Sequence, residues 1–419
     1  MSTEELRRNA DSHVNKKSAG TNKKRLKILG VNATVDGGFD IIFLILVLAL
    51  LTTGLVMMFS ASYITAKYSY SETKGNPYYY IIRQALFAAV GIFLMMVISR
   101  INPELMKKLT WFVAAVAVLL MIVVLFYHTK VNADNSIKRW MKLPGFTLQP
   151  SDVGKLALIM ALSYTLEKYK KQLERKWWVA PIFACGVLFM CLLVYLESHL
   201  SGTVLMFAIG FGMLFLGGVD RRWFILGIVA IVIIGAAVWT FRDSLLKPYQ
   251  VERLESFFVS EKDYYDVDSR WQTNQSLFAL GSGGIFGLGL GNSRQKFMYL
   301  PEPQNDFIFA IVGEELGFIR CVVILIFFAL VIVRGFMIAA KAKSAYERLL
   351  VLGICLQLGI QTVLNILVVT DMMPNTGISL PFFSYGGTAL ILQLAEMGMV
   401  LAVSRTGERR PKKQTDNRG

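Results

Sequence analysis
Ten apolar segments dominate the chain, near residues 40–60, 79–99, 109–127, 153–166, 178–196, 202–219, 222–241, 307–333, 349–370 and 382–403. Each is close to the roughly 20 residues that a helix needs to span about 30 Å of hydrocarbon. The 419 residues are 54% hydrophobic and 17% charged, with a mean hydropathy of +0.50. A soluble domain carries about 25% charge and about 45–50% apolar residues. The pattern predicts an all-α, polytopic membrane protein with about ten transmembrane helices. The fourth segment is short and begins with charge, so it reads as entering the membrane from a re-entrant stretch that includes Gln149-Pro150-Ser151-Asp152.

Residues 1–38 are polar and basic and read as a disordered tail, 39–404 as the transmembrane domain, and 405–419 as a second basic tail. With both termini in the cytoplasm, the inward-facing stretches hold 28 of the 44 Lys and Arg residues. Positive charge retained inside fixes that orientation. It also explains the net charge of +15 through anionic headgroups, without nucleic acid. Residues 242–305, between the seventh and eighth segments, then form a large extracytoplasmic loop. A loop that long is functional or disordered. Its aromatic content, including Tyr264, Tyr265 and Trp271, argues for folding against the membrane surface. Within it, 275–289 reads as a short amphipathic or partly inserted helix that breaks at its glycines. Four cysteines, all in apolar runs, and three scattered histidines suggest neither a disulfide framework nor a metal cluster.

Asp306 sits where a polar loop, turned by Pro301-Glu302-Pro303, meets the eighth segment. Beside Arg294 and Lys296, it suits a general base; equally, an acid at a helix N-terminus is favoured by the macrodipole. Glu314 and Glu315 lie eight and nine residues on, about 12–14 Å deeper at 1.5 Å per residue. Proton relay, substrate contact and structural ion pair are all open for them, with Arg320 a candidate partner. Arg139 and Lys155 suit a pyrophosphate, or snorkel to the interface, and Ser151 or Asp152 is placed to cap the fourth helix. Gln149, Ser151, Lys296 and Glu302 complete the candidate substrate-binding set. Gln357, Gln361 and Asn365 share one helix face and read as packing contacts. Gly287 to Asn292 (GLGLGN) follows no strand and is not a nucleotide fingerprint. No P-loop, HExxH or GxSxG is present.

Four motifs carry a resemblance: KRWMKLPGFTLQPSDVGKLAL, ESHLSGT, QSLFALGSGGIFGLGLGNSRQKFMYLPEPQNDFIFAIVGEELG and MPNTGISLPFFSYGGT. They resemble the SEDS proteins (shape, elongation, division, sporulation) from about residue 40 to 403, and the division and sporulation branch, FtsW-like, more than the elongation branch. The resemblance implies a peptidoglycan glycosyltransferase in the bacterial cytoplasmic membrane. Such an enzyme polymerises lipid II at the outer face, with undecaprenyl pyrophosphate leaving. It implies Asp306 as the catalytic carboxylate and basic residues, here Arg139 and Lys155, beside an outer cavity. Its implied partners are a class B penicillin-binding protein transpeptidase and other divisome proteins. A divalent cation (Mg or Mn) would suit the pyrophosphate, but no ligand set specifies one. Three positions depart from the family pattern: Asn305 for Thr, Asp152 for Glu and Arg320 for Gly. The competing reading is a lipid II flippase, which broken helices in inverted repeats would favour; none is visible in the sequence. A third reading, a scaffold recruiting division proteins through the basic tail, predicts that Asp306 is dispensable.

Overall fold
The computed structural model describes residues 27–35, 37–68, 73–126, 139–143, 146–241, 251, 270–375 and 377–407. Its helices are α1 (Ile41–Tyr68), α2 (Tyr79–Ile98), α3 (Pro103–Phe126), α4 (Pro150–Lys168), α5 (Lys170–Arg175), α6 (Val179–Leu196), α7 (Leu200–Leu216), α8 (Arg221–Thr240), α9 (Trp271–Gly283), α10 (Ile308–Ala340), α11 (Ala345–Val369) and α12 (Gly387–Gly407). Two small antiparallel hairpins interrupt the helices, β1 (Lys27–Ile28) with β2 (Val31–Asn32) and β3 (Met141–Leu143) with β4 (Phe146–Leu148). Setting aside the short α5 and α9, the ten long helices coincide with the ten apolar segments. Among the described residues, α1, α2, α3, α6, α10, α11 and α12 are long and apolar enough to cross a membrane. Helix α4 carries Asp152 in its first turn and Lys168 in its last, and α7 has only 17 residues.

Packing follows from apolar faces meeting: α12 lies on α2, α10 on α11 and α1, α3 on α4, and α6 on α7. The remaining faces of α2, α3 and α10 stay apolar and exposed (Phe93, Phe112, Val323), as lipid contact requires.

The first described residues are not a free tail. Val35 N donates to Arg100 O at 2.9 Å, Asn102 N to Ala33 O at 3.0 Å, and Asp40 pairs with Arg334 at 2.8 Å. Asp40 N also bonds Ser404 Oγ at 3.0 Å, and Arg405 donates to Gly37 O. This strap brings both ends of the described chain to one end of the bundle. Residues 1–26 and 408–419, read as tails, lie outside the described residues, as do 242–250 and 252–269 of the long loop. The described part of that loop holds α9, which begins at Trp271, earlier than its sequence indicates, and stops at Gly283, and then a run of turns that leads to Asp306.

Helix α10 is broken at Gly317, whose φ of +77° and ψ of 175° are not helical. A side chain there would strike the backbone nitrogen of Gly287 at 2.2 Å, so only glycine fits. The segment after α9 knits the break: Leu288 N and Gly289 N donate to Glu314 O and Glu315 O, each at 3.0 Å, and Phe318 N donates to Gly284 O at 2.9 Å. Arg320 Nη1 donates to Leu316 O (3.1 Å) and Phe286 O (2.7 Å). Arg320 therefore binds one carbonyl at the break and one on the segment packed against it, and does not pair with Glu314 or Glu315. As one straight helix the 33 residues of α10 would extend about 50 Å, more than the hydrocarbon core.

Candidate functional site
At the end of the bundle opposite the strap, α2, the β3–β4 hairpin, α4, α7, α11 and α12 surround a cavity of about 770 Å³. Asp306, Arg139, Lys155, Gln149 and Ser151 all line it.

Asp306 precedes α10 on a turn set by Glu302, which has φ +47° and accepts from Gln304 Nε2 (2.8 Å) and Asn305 Nδ2 (3.0 Å). The turn is then pinned from outside. Asn365 Nδ2 donates to Asp306 O and to Ile378 O, each at 2.7 Å, and Ser384 Oγ donates to Asn305 O at 2.8 Å. Asn365, read from its spacing as a packing contact, thus fixes the backbone of Asp306. Gly377 (φ +69°) closes over the carboxylate: a Cβ there would sit 3.1 Å from Asp306 Oδ2. Asp306 lies one residue outside the N-cap of α10, Phe307.

Pro150 begins α4, with Gln149 as its N-cap residue. Neither Ser151 nor Asp152 caps it: Ser151 Oγ lies 3.5 Å from His199 Nδ1, and Asp152 Oδ1 holds Lys155 Nζ at 2.9 Å. Gln149 Nε2 lies 3.1 Å from the same His199 nitrogen. Burial, then the charges of Arg139 and Lys155, push His199 down to about 3, so its ring is neutral at physiological pH. Thr388 Oγ1 donates to Thr147 O at 2.9 Å and ties the hairpin to α12. Deep in the cavity, Glu396 accepts from Gln357 Nε2 at both oxygens (3.0 and 2.9 Å).

The remaining candidates lie elsewhere. Lys296 does not reach the cavity: it is buried, donating to Glu315 Oε1 at 2.9 Å, to Gly291 O at 2.6 Å and to Ser60 Oγ at 3.2 Å. Glu314 accepts from Arg294 N (2.9 Å), Gln295 N (3.3 Å) and Ser293 Oγ. Glu302 shapes the turn from outside the lining. Glu315 forms an ion pair with Lys296, whereas Glu314 is held by backbone and hydroxyl donors.

Glu396 and Arg83, the latter on α2 at the cavity wall, were not singled out from sequence. An isolated acid inside an apolar run, as in LQLAEMGM, was the available signal for Glu396. Among the described residues, no three His, Cys, Asp or Glu side chains converge on a metal position.

The FtsW/RodA/SpoVE family model, described as cell cycle protein, matches residues 41–409. The "probable peptidoglycan glycosyltransferase FtsW" of Geobacter sp. (strain M18) is 36% identical over 371 residues, covering 88% of this chain and 97% of that one. Stage V sporulation protein E of Bacillus subtilis is also 36% identical, covering 87% and 97%. Among solved structures, a chain from a peptidoglycan synthase complex that coordinates polymerization and crosslinking superimposes with a TM-score of 0.71 and 26% identity, over 89% of this chain and 99% of that one. The rod shape determining protein RodA of Thermus thermophilus gives a TM-score of 0.64 at 25% identity, over 89% and 98%. With the family model spanning nearly all of the described helices and relatives this similar over their whole lengths, the chain belongs to the FtsW/RodA/SpoVE family, the SEDS proteins, and is a multi-pass membrane protein.

Proposed function
We propose that this chain is a peptidoglycan glycosyltransferase that polymerises lipid II at the outer face of the cytoplasmic membrane, in cell division. The observation that carries the reading is one cavity holding the Asp306 carboxylate together with Arg139 and Lys155. Asp306 accepts the proton of the attacking sugar hydroxyl as that oxygen bonds the anomeric carbon of the donor. The bond from that carbon to the pyrophosphate breaks, and undecaprenyl pyrophosphate departs with the electron pair. Arg139 and Lys155 hold the pyrophosphate and offset its growing charge. Gln149, Ser151 and neutral His199 add hydrogen-bonding groups without adding charge. The reading takes the strap end as cytoplasmic, as the positive-inside count expects, so that the cavity opens on the outer side. The partner is a class B penicillin-binding protein, a transpeptidase that crosslinks the new glycan within the divisome.

One observation favours the flippase reading: α10 is broken, as transporter helices are. The break is knitted by backbone hydrogen bonds to 284–289 rather than left to line a pathway, which weighs for the polymerase. The test is lipid II presented on one leaflet only. A polymerase forms glycan from lipid II supplied on the outer side, and a flippase moves lipid II between leaflets without lengthening it.

A further inference from the structure
Glu197 ends α6, and its side chain is fully buried. Neither carboxyl oxygen has a hydrogen-bond partner among the described residues. The backbone holds it in place. Glu197 N donates to Leu193 O (3.2 Å) and Ser198 N to Tyr195 O (2.9 Å), while Thr203 N donates to His199 O at 3.0 Å. Ser198, at φ +62°, makes the tight turn between them at a conformational cost that the surrounding packing must offset. Helix α4 packs against both α6 and α7, and the charge acting on Glu197 is that of Asp152. Asp152 spends Oδ1 on Lys155, while its Oδ2 is also buried and without a partner among the described residues.

Three buried acceptor oxygens on two electrostatically coupled carboxyls, with no donor for any of them, is an expensive arrangement. One proton on Glu197 eases it by removing one of two like charges. We propose that Glu197 is a neutral carboxylic acid coupled by charge to Asp152, and that this pair sets the position of Lys155 in the cavity. The second half rests on the glycosyltransferase reading, in which Lys155 holds pyrophosphate. Burial, and after it the Asp152 charge, push Glu197 up to about 8, consistent with a proton retained at neutral pH.

The charged and titratable groups around the pair are Lys155 on α4, Arg139 before the hairpin, neutral His199 in the same turn and Glu396 on α12. At neutral pH the pair carries one negative charge, which Lys155 balances. Loss of the Glu197 proton adds a second. The Lys155 ammonium is then drawn toward the two carboxylates and away from an incoming pyrophosphate. Glu197 acts as a positioning residue, through Lys155.

Infrared difference spectra of the full-length protein in lipid nanodiscs test the pair without reference to turnover. A protonated-carboxyl C=O band should bleach as pH rises through about 8, vanish in Glu197→Gln, and bleach at lower pH in Asp152→Asn. Absence of such a band, or a band unaltered in Glu197→Gln, overturns the pair whether or not glycan forms. With lipid II as substrate, KM of the wild type should rise at least about fivefold between pH 7 and 9, while that of Glu197→Gln stays flat and kcat follows one course in both. An equal alkaline rise of KM in both proteins refutes the link to Lys155. Polymer absent from every variant, with the band titrating as described, leaves the pair standing and removes the enzymatic reading instead.

Discussion
Lys296 Nζ lies 2.9 Å from Glu315 Oε1, with the lysine side chain 5% exposed and the glutamate fully buried. Ser60 of α1 donates to the same carboxylate at 2.7 Å, so the pair joins α1, the segment after α9 and the first half of α10. Next to it, Glu314 gathers main-chain N–H groups of that same segment. The two acids fasten the loop that fills the break at Gly317, and the half-helix they belong to begins just after Asp306.

A buried charge that loses its partner is costly. Lys296→Met is expected to destabilise the protein by about 3–5 kcal/mol, because Glu315 is left without a counter-charge. The paired change Lys296→Met with Glu315→Leu should cost less than Lys296→Met alone. Thermal unfolding in detergent measures both, and equal losses would show that the ion pair is not coupled.

Asn365→Ala removes two buried hydrogen bonds, to Asp306 O and Ile378 O. The fold should lose about 1–3 kcal/mol. Turnover of lipid II should fall by tenfold or more with KM little changed, since the lost contact aims Asp306 rather than binding substrate. A variant that raises KM alone would return Asn365 to a packing role.

Gly377→Ala places a methyl group against Asp306 Oδ2 at a backbone angle that disfavours any side chain. Destabilisation of about 1 kcal/mol is expected, with a loss of turnover larger than that of Gly281→Ala, where open space surrounds the position. Equal activities in the two variants would separate the 377 loop from the acid.

His199 lies well below its unfolded value, at about 3 against 6.5. Between those values the unfolded chain binds the proton that the folded chain refuses, so stability falls as pH drops below about 6.5 and is flat above it. The slope contributed by His199 approaches 1.4 kcal/mol per pH unit at most. Melting temperature followed from pH 7.5 to 4.5 should decline more steeply in wild type than in His199→Gln. Parallel curves would show that the ring is already charged in the cavity.

Seven of the long helices were legible because their apolar segments are long and uniform enough to admit one reading. The break at Gly317 was not, since one glycine in GEELGFIR looks like any other until the backbone of 284–289 is seen against it. Arg139, Lys155, Gln149, Ser151 and Asp306 were legible as polar residues at the edges of apolar runs, and they share one cavity. Lys296 misled for the same reason: a cation ten residues before Asp306 looks like a neighbour, whereas the chain turns it toward Glu315 on the far side of the helix entry. Glu197 and His199 stand in a short polar turn whose meaning depends on α4, far away in sequence.

The most direct measurement is glycan formation from lipid II by the purified protein, alone and with its cognate transpeptidase, for wild type and Asp306→Asn. Polymer from wild type and none from a variant with the same melting temperature is the expected result. Equal polymer from both would contradict the account, because Asp306 would then have no part in the chemistry of the cavity it lines.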